Sequence, residues 1–214
     1  MPVTAIIDLR SRFGDIRDQG KRPTCMAFAA SDAHSSARNS VDPLSTEYAY
    51  FHAVAKRRHS DRTTGVSMQA MAEALSLNGQ PLESGWPYIP LLADDDNWEP
   101  PKDPGELFYR DVEYPTAIVT SLYDRLNAGQ PTIVGMEVSI SFFQLASGHV
   151  VDAPATEAAL GTHAVIVVGH GESKKRRCLL LRNSWGVAWG DDGYGWVMED
   201  YLRPRLLIAG AMKA

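Results

Sequence analysis

The feature that most constrains this chain is a change of character near residue 116. Before it, apolar residues recur at helical spacing. After it, short β-rich runs alternate with glycine, serine and charged turns. In the first part, the run from Cys25 to Arg38 carries Ala29, Ala33 and Ala37 four apart. Small residues along one face let a helix pack closely, so this one is expected to be buried. Thr24 is its expected N-cap, which places Cys25 on the first turn. A second helix is expected after Ser45, ending near Lys56-Arg57-Arg58, whose charges suit a C-terminus. A third is expected from about Ser67 to Leu77, stopping at Asn78-Gly79. Residues 80–115 hold seven of the thirteen prolines and read as irregular. A fourth helix is expected over about 117–127.

The strand-like runs then follow at Thr132–Val138, His163–Gly169, Cys178–Asn183, Tyr194–Met198 and Leu206–Ala209. Helices first and strands later indicate an α+β chain: a helical lobe over about 1–115, a β-rich lobe over about 116–214, and a cleft between them where ligands bind. At 214 residues the chain is long enough for such a two-lobed unit.

Charge excludes one class of partner. The net charge is −5, and its acidic surplus gathers at Asp94, Asp95, Asp96, Glu99, Asp103 and Glu106, read as a solvated loop. That is no footprint for nucleic acid. Lys174-Lys175-Arg176-Arg177 lies between two strand runs and reads as a hairpin turn. No run of about 18 apolar residues suits a membrane span. The start of the chain lacks a basic, apolar leader, so a cytoplasmic protein is expected, a removed leader being the alternative. The two cysteines, Cys25 and Cys178, are too few for a disulfide framework and fit a reducing compartment.

A scarce cysteine on a helix N-terminus is a candidate nucleophile, because the thiolate is the reactive form and a helix N-terminus or an imidazolium stabilises it. Six histidines could supply the imidazole: His34, His52, His59, His149, His163 and His170. His163 opens an apolar strand, where its ring could face a cleft; a structural histidine is the alternative reading. His52 and His59 read as helix-surface residues. Cys178, on an apolar strand, reads as a small buried hydrophobe. Asp191-Asp192-Gly193 resembles part of a calcium loop, but the other ligands are missing, and no metal or cofactor is expected.

Three motifs in order carry a resemblance to a family. Gln19-Gly20 six residues before Cys25-Met26-Ala27-Phe28 is similar to the cysteine segment of papain-like peptidases. Thr162-His163-Ala164-Val165 resembles their histidine strand. Arg182-Asn183-Ser184-Trp185-Gly186, with Trp189-Gly190 and Gly193-Tyr194-Gly195, resembles their Asn-Ser-Trp-Gly block. The order is right, and the 138 residues from Cys25 to His163 fit the expected gap.

The resemblance implies one papain-like catalytic domain over 1–214 and a thiol endopeptidase activity on peptides or proteins. Cys25 would attack the carbonyl carbon, His163 would act as acid and base, and Asn183 would orient it under Trp185. Gln19 and the Cys25 backbone N–H would form the oxyanion hole. Gly65, Val66, Met68, Val138, Ala164 and Ile208 are the expected substrate-binding positions, and they suggest a medium apolar residue at the second subsite. Trp189 is expected in the core. Departures matter as well. Met26, Pro23 and Val66 stand where relatives have tryptophan and glycines, and Arg22 stands where they have a disulfide cysteine. No propeptide is apparent before the family-like segment. These differences motivate a second reading, a binding module with weak or lost catalysis. The thioester also permits a third, acyl transfer or deamidation.

Overall fold

The computed structural model describes residues 2–59, 61–92 and 97–213. Three helices make up most of the first part of the fold: α1 (Cys25–Ala37), α2 (Thr46–Ala55) and α3 (Met68–Leu77). Their starts follow local rules. The Ser45 hydroxyl accepts from the Tyr48 N–H and the Ser67 hydroxyl from the Ala70 N–H, each at 3.1 Å. Gly79, at φ +70°, takes the left-handed turn that ends α3, where a side chain would be strained. Thr24 precedes α1 as expected but does not cap it. Its hydroxyl instead meets the Tyr88 hydroxyl at 3.0 Å.

The remaining elements are β1 (Thr4–Asp8), β2 (Val112–Glu113), α4 (Val119–Asn127), β3 (Thr132–Ser139), α5 (Ile140–Phe143), β4 (Val150–Val151), β5 (Ala159–Ser173), β6 (Arg176–Arg182), β7 (Tyr194–Met198), α6 (Glu199–Leu202) and β8 (Leu206–Met212). The sheet runs β2-β8-β3-β5-β6-β7-β4, with β1 added along β5. Among the described residues only β4 and β7 pair in parallel. Lys174 and Lys175, both at positive φ, make the two-residue turn between β5 and β6, as expected of a hairpin. Of the acidic loop, Glu99, Asp103 and Glu106 are exposed; Asp94, Asp95 and Asp96 lie outside the described residues.

The boundary expected near residue 115 is not clean. Residues 4–8 pair with β5 and residues 112–113 with β8, so the first half contributes two strands to the sheet. Two cores flank that sheet. Along β5, Ala164, Ile166 and Val168 face α1–α3, whereas Val165 and Val167 face α4 and the later loops. The alternation is the pleat of a strand covered on both sides. It also sets α1, with Cys25 at its first residue, against the stretch of β5 that carries His163.

Candidate active site

Cys25 enters from the helical layer and His163 from the sheet, and both line one cleft of about 700 Å³. The Cys25 sulfur is within reach of the Ala164 backbone, which brings it beside the residue following His163. Burial pushes the thiol pKa up, and backbone hydrogen bonds at Ala164, Met26 and Cys25 itself pull the other way. Burial likewise pushes His163 down to about 4, opposed by its bond to Asn183. Desolvation therefore favours the neutral thiol and imidazole. A thiolate beside an imidazolium, at a helix N-terminus, is the charge arrangement that opposes it.

The imidazole is held by a defined set of contacts. His163 Nε2 lies 2.7 Å from Asn183 Oδ1. That oxygen also accepts from the Ser184 backbone N–H at 2.8 Å. A carboxamide oxygen can only accept, so Nε2 carries the proton and Nδ1 is the free nitrogen of the neutral ring. Trp185 stacks on the imidazole at 4.4 Å and 29°, and Phe143 stacks on Trp185 at 4.9 Å and 11°. Trp189 is core, as expected, and its Nε1 donates to the Phe142 carbonyl at 2.9 Å.

Gln19 lies in the same cleft. Its side-chain Nε2 donates to the Arg22 carbonyl at 2.9 Å, and its Oε1 accepts from the Ser184 hydroxyl at 2.7 Å. One of the two amide hydrogens is thereby used and the other is left. Ser184 was not singled out in the sequence, although it belongs to the Asn-Ser-Trp-Gly block.

Of the expected substrate positions, Gly65, Val66, Met68, Ala164 and Ile208 line the cleft. Val138 does not. It is 1% exposed and packed in the core on the other side of the sheet. Val134, Met136 and Val138 pack in that second core, and of β3 it is Gly135 and Met136, nearer the middle of the strand, that line the cleft. Leu207 also lines it and is half exposed. Neither was anticipated. Met26 and Val66 turn mostly into the helical core, 6% and 8% exposed.

The other histidines lie elsewhere. His34 is fully buried against Gln80. His170 bonds Asn127 at 2.9 Å. His52 corrects its surface reading: it is half-buried between Tyr48 and Phe51. His59 is exposed but lies in a turn beyond α2. Cys178 is buried, as expected. No group of three or more His, Cys, Asp or Glu side chains among the described residues could hold a metal ion.

Comparison with known proteins gives the family and the fold. The family model described as "Papain family cysteine protease" matches residues 3–203. A cysteine protease of Blomia tropicalis is 26% identical over 88% of this chain and 58% of its own length. Bovine cathepsin S is 26% identical over 84% of this chain and 55% of its own. The chain thus spans little more than half the length of these relatives. Among solved structures, digestive procathepsin L 3 of Tenebrio molitor superposes with a TM-score of 0.81 at 22% identity, covering 100% of this chain and 71% of that one. Xylellain, a cysteine protease from Xylella fastidiosa, gives 0.80 at 23%, covering 100% and 87%. At such identities these structures speak to the fold, which is the papain-like one; with the family model spanning residues 3–203, the chain belongs to the papain family of cysteine proteases.

Proposed function

We propose that this chain hydrolyses peptide bonds through a thioester on Cys25. The observation that carries the reading is the His163 Nε2–Asn183 Oδ1 bond of 2.7 Å, stacked under Trp185 in the cleft that holds Cys25. With Nε2 committed, Nδ1 takes the thiol proton. The sulfur bonds to the carbonyl carbon, and the carbonyl oxygen becomes an oxyanion facing the second Gln19 amide hydrogen and the Cys25 backbone N–H. As the C–N bond breaks, His163 returns the proton to the leaving amine. Water, deprotonated by the same Nδ1, then splits the thioester.

The cleft floor supports an apolar residue at the second subsite, with Met68, Ala164, Ile208 and Gly135 as its walls. Endopeptidase action on extended peptides is the mode we assign, in a reducing compartment suited to two free cysteines. Met26 and Val66 spend most of their surface on the core, which weakens the motive for a binding-only reading.

The test is a peptide library digested by the wild type beside Cys25→Ala, with products identified by mass spectrometry. Cleavage lost in the variant is expected. Backbone-intact products carrying a modified side chain would replace hydrolysis by deamidation or acyl transfer. Capture of a protein ligand without any turnover would favour the binding module.

A further inference from the structure

Arg22 occupies the position where relatives resembling this chain carry a cysteine. Its guanidinium makes a forked pair with Glu47, at 2.6 and 2.8 Å, on the first turn of α2. Glu47 is completely buried. The same carboxylate accepts from Trp98 Nε1 at 2.6 Å and from the Ile89 N–H at 2.9 Å. The guanidinium lies over the ring of Tyr88, 5.1 Å from its centroid. A fork–fork pair fixes orientation as well as distance.

The other side of Arg22 faces the catalytic groups. Its backbone carbonyl holds Gln19 Nε2. The Gln19 carbonyl accepts from the Tyr88 hydroxyl at 2.7 Å, and that hydroxyl also meets Thr24, the residue before Cys25. Segment 19–25 is therefore tied at Arg22 to Glu47 and at Gln19 and Thr24 to Tyr88. A buried ion pair is a poor source of net stability compared with apolar packing, and fixing one geometry is the use best suited to it.

We infer that the Arg22–Glu47 pair is a positioning element for the oxyanion donor of Gln19, orienting its free amide hydrogen by holding the Arg22 carbonyl. The inference rests on the active-site reading above. Arg22 lines the cleft and Glu47 lies behind it; the pair acts on the reaction through Gln19.

The test uses the Arg22→Met, Glu47→Gln double variant, which removes both charges together; the side-chain oxygen at position 47 can still accept from one of the two donors that the carboxylate served, Ile89 N–H and Trp98 Nε1. Gln19→Ala, and the three changes combined, complete a cycle. Four measurements are made: thermal unfolding, the rate of Cys25 alkylation by iodoacetamide, inhibition by a peptide aldehyde, and kcat and KM on one peptide. Alkylation needs no oxyanion hole; the aldehyde adduct and catalysis do.

The double variant should alkylate within about 2-fold of wild type. Its kcat should fall about 10- to 100-fold with KM nearly unchanged, within the roughly 10²–10³ set by loss of one donor. Aldehyde inhibition should weaken in parallel. On the Gln19→Ala background, the same pair of changes should cost under about 3-fold, since positions acting through one group do not add. Equal losses on both backgrounds, an unchanged kcat, or alkylation falling together with kcat would overturn the inference. Should the double variant fail to fold, Arg22→Lys keeps the charge but loses the fork; a folded Arg22→Lys protein with wild-type kcat and aldehyde affinity would refute it equally. A wild type that neither alkylates at Cys25 nor cleaves peptide would instead refute the active-site reading.

Discussion

Lowering the pH should destabilise this protein through His34, far from the cleft. His34 lies on α1 with no exposed surface. Gln80 donates through Nε2 to the Ser31 hydroxyl and, at 2.8 Å, to the Ser45 carbonyl. Its Oε1 is thus the atom that faces His34 Nδ1, at 3.1 Å, and Nδ1 carries the proton. His34 Nε2 is buried with no hydrogen-bond partner among the described residues. Protonation there would create a buried donor and a buried charge, with Arg110 and Arg38 adding like-charge repulsion. Burial accordingly holds the imidazole down to about 4, from 6.5.

The folded value lies below the unfolded one. His34 therefore contributes stability that is whole above pH 6.5 or so, declines as pH falls, and is lost as pH passes through about 4. At about 1.4 kcal/mol per pH unit, the full loss is about 3 kcal/mol, and about 2 kcal/mol of it has gone by pH 5. His163 shifts in the same direction and is common to both proteins compared. The clean comparison is with His34→Gln, whose amide can still donate to Gln80 and does not titrate. Urea unfolding of both proteins at pH 7.5, 6, 5 and 4.5 gives the two slopes. Groups common to both, such as Glu83, cancel in the difference. Wild type should lose about 2 kcal/mol more than the variant between pH 7.5 and 5. Parallel slopes would refute the account of His34 as a buried neutral histidine.

Two further outcomes follow from the geometry. A Cβ at Gly135 would lie 2.7 Å from Ile208 Cγ2, so Gly135→Val must displace Ile208 into the cleft. The library profile at the second subsite should move toward smaller residues, whereas Val138→Ala, on the opposite face, should leave that profile unchanged; a shift with Val138→Ala alone would reverse the assignment. Asp32 bridges Arg17 at 2.5 Å and Arg182 at 2.7 Å, and the Arg182 side chain is 2% exposed. Asp32→Ala removes the carboxylate shared by the two guanidinium groups, leaving Arg182 its bonds to Gly14, Asp15 and Tyr194 and Arg17 its pair with Glu83, and should cost about 3 kcal/mol by denaturant titration, a loss under about 1 kcal/mol being incompatible with a buried bridge.

Much of this molecule was legible in order along the chain. Ser45 and Ser67 announced α2 and α3 through caps that act within three residues. Asn78-Gly79 closed α3 because a left-handed turn suits glycine. The five main strand runs and the turn at Lys174-Lys175 came from alternation and local turn chemistry. Cys25, His163 and Asn183 emerged from three spaced motifs, and the structure gathers the first two at one cleft with the third bonded to the histidine.

What local pattern could not contain is partnership across distance. The segment 4–8, Thr-Ala-Ile-Ile-Asp, shows no apolar–polar alternation and becomes a strand by pairing with β5. Val138 and Gly135 lie on one strand, and which stretch of β3 meets the cleft depends on how the strand sits between α1 and the second core. Arg22 read as a missing disulfide cysteine; its ion pair with Glu47, 25 residues away, exists only in the folded chain. By itself the sequence determined the main helices and strands and pointed to the candidate reactive groups, because propensity, caps and motif spacing act over a few residues or along a fixed order. Tertiary structure alone decided which faces line the cleft and how Gln19 is held, because sheet register and buried charge pairing are settled between segments far apart in the chain.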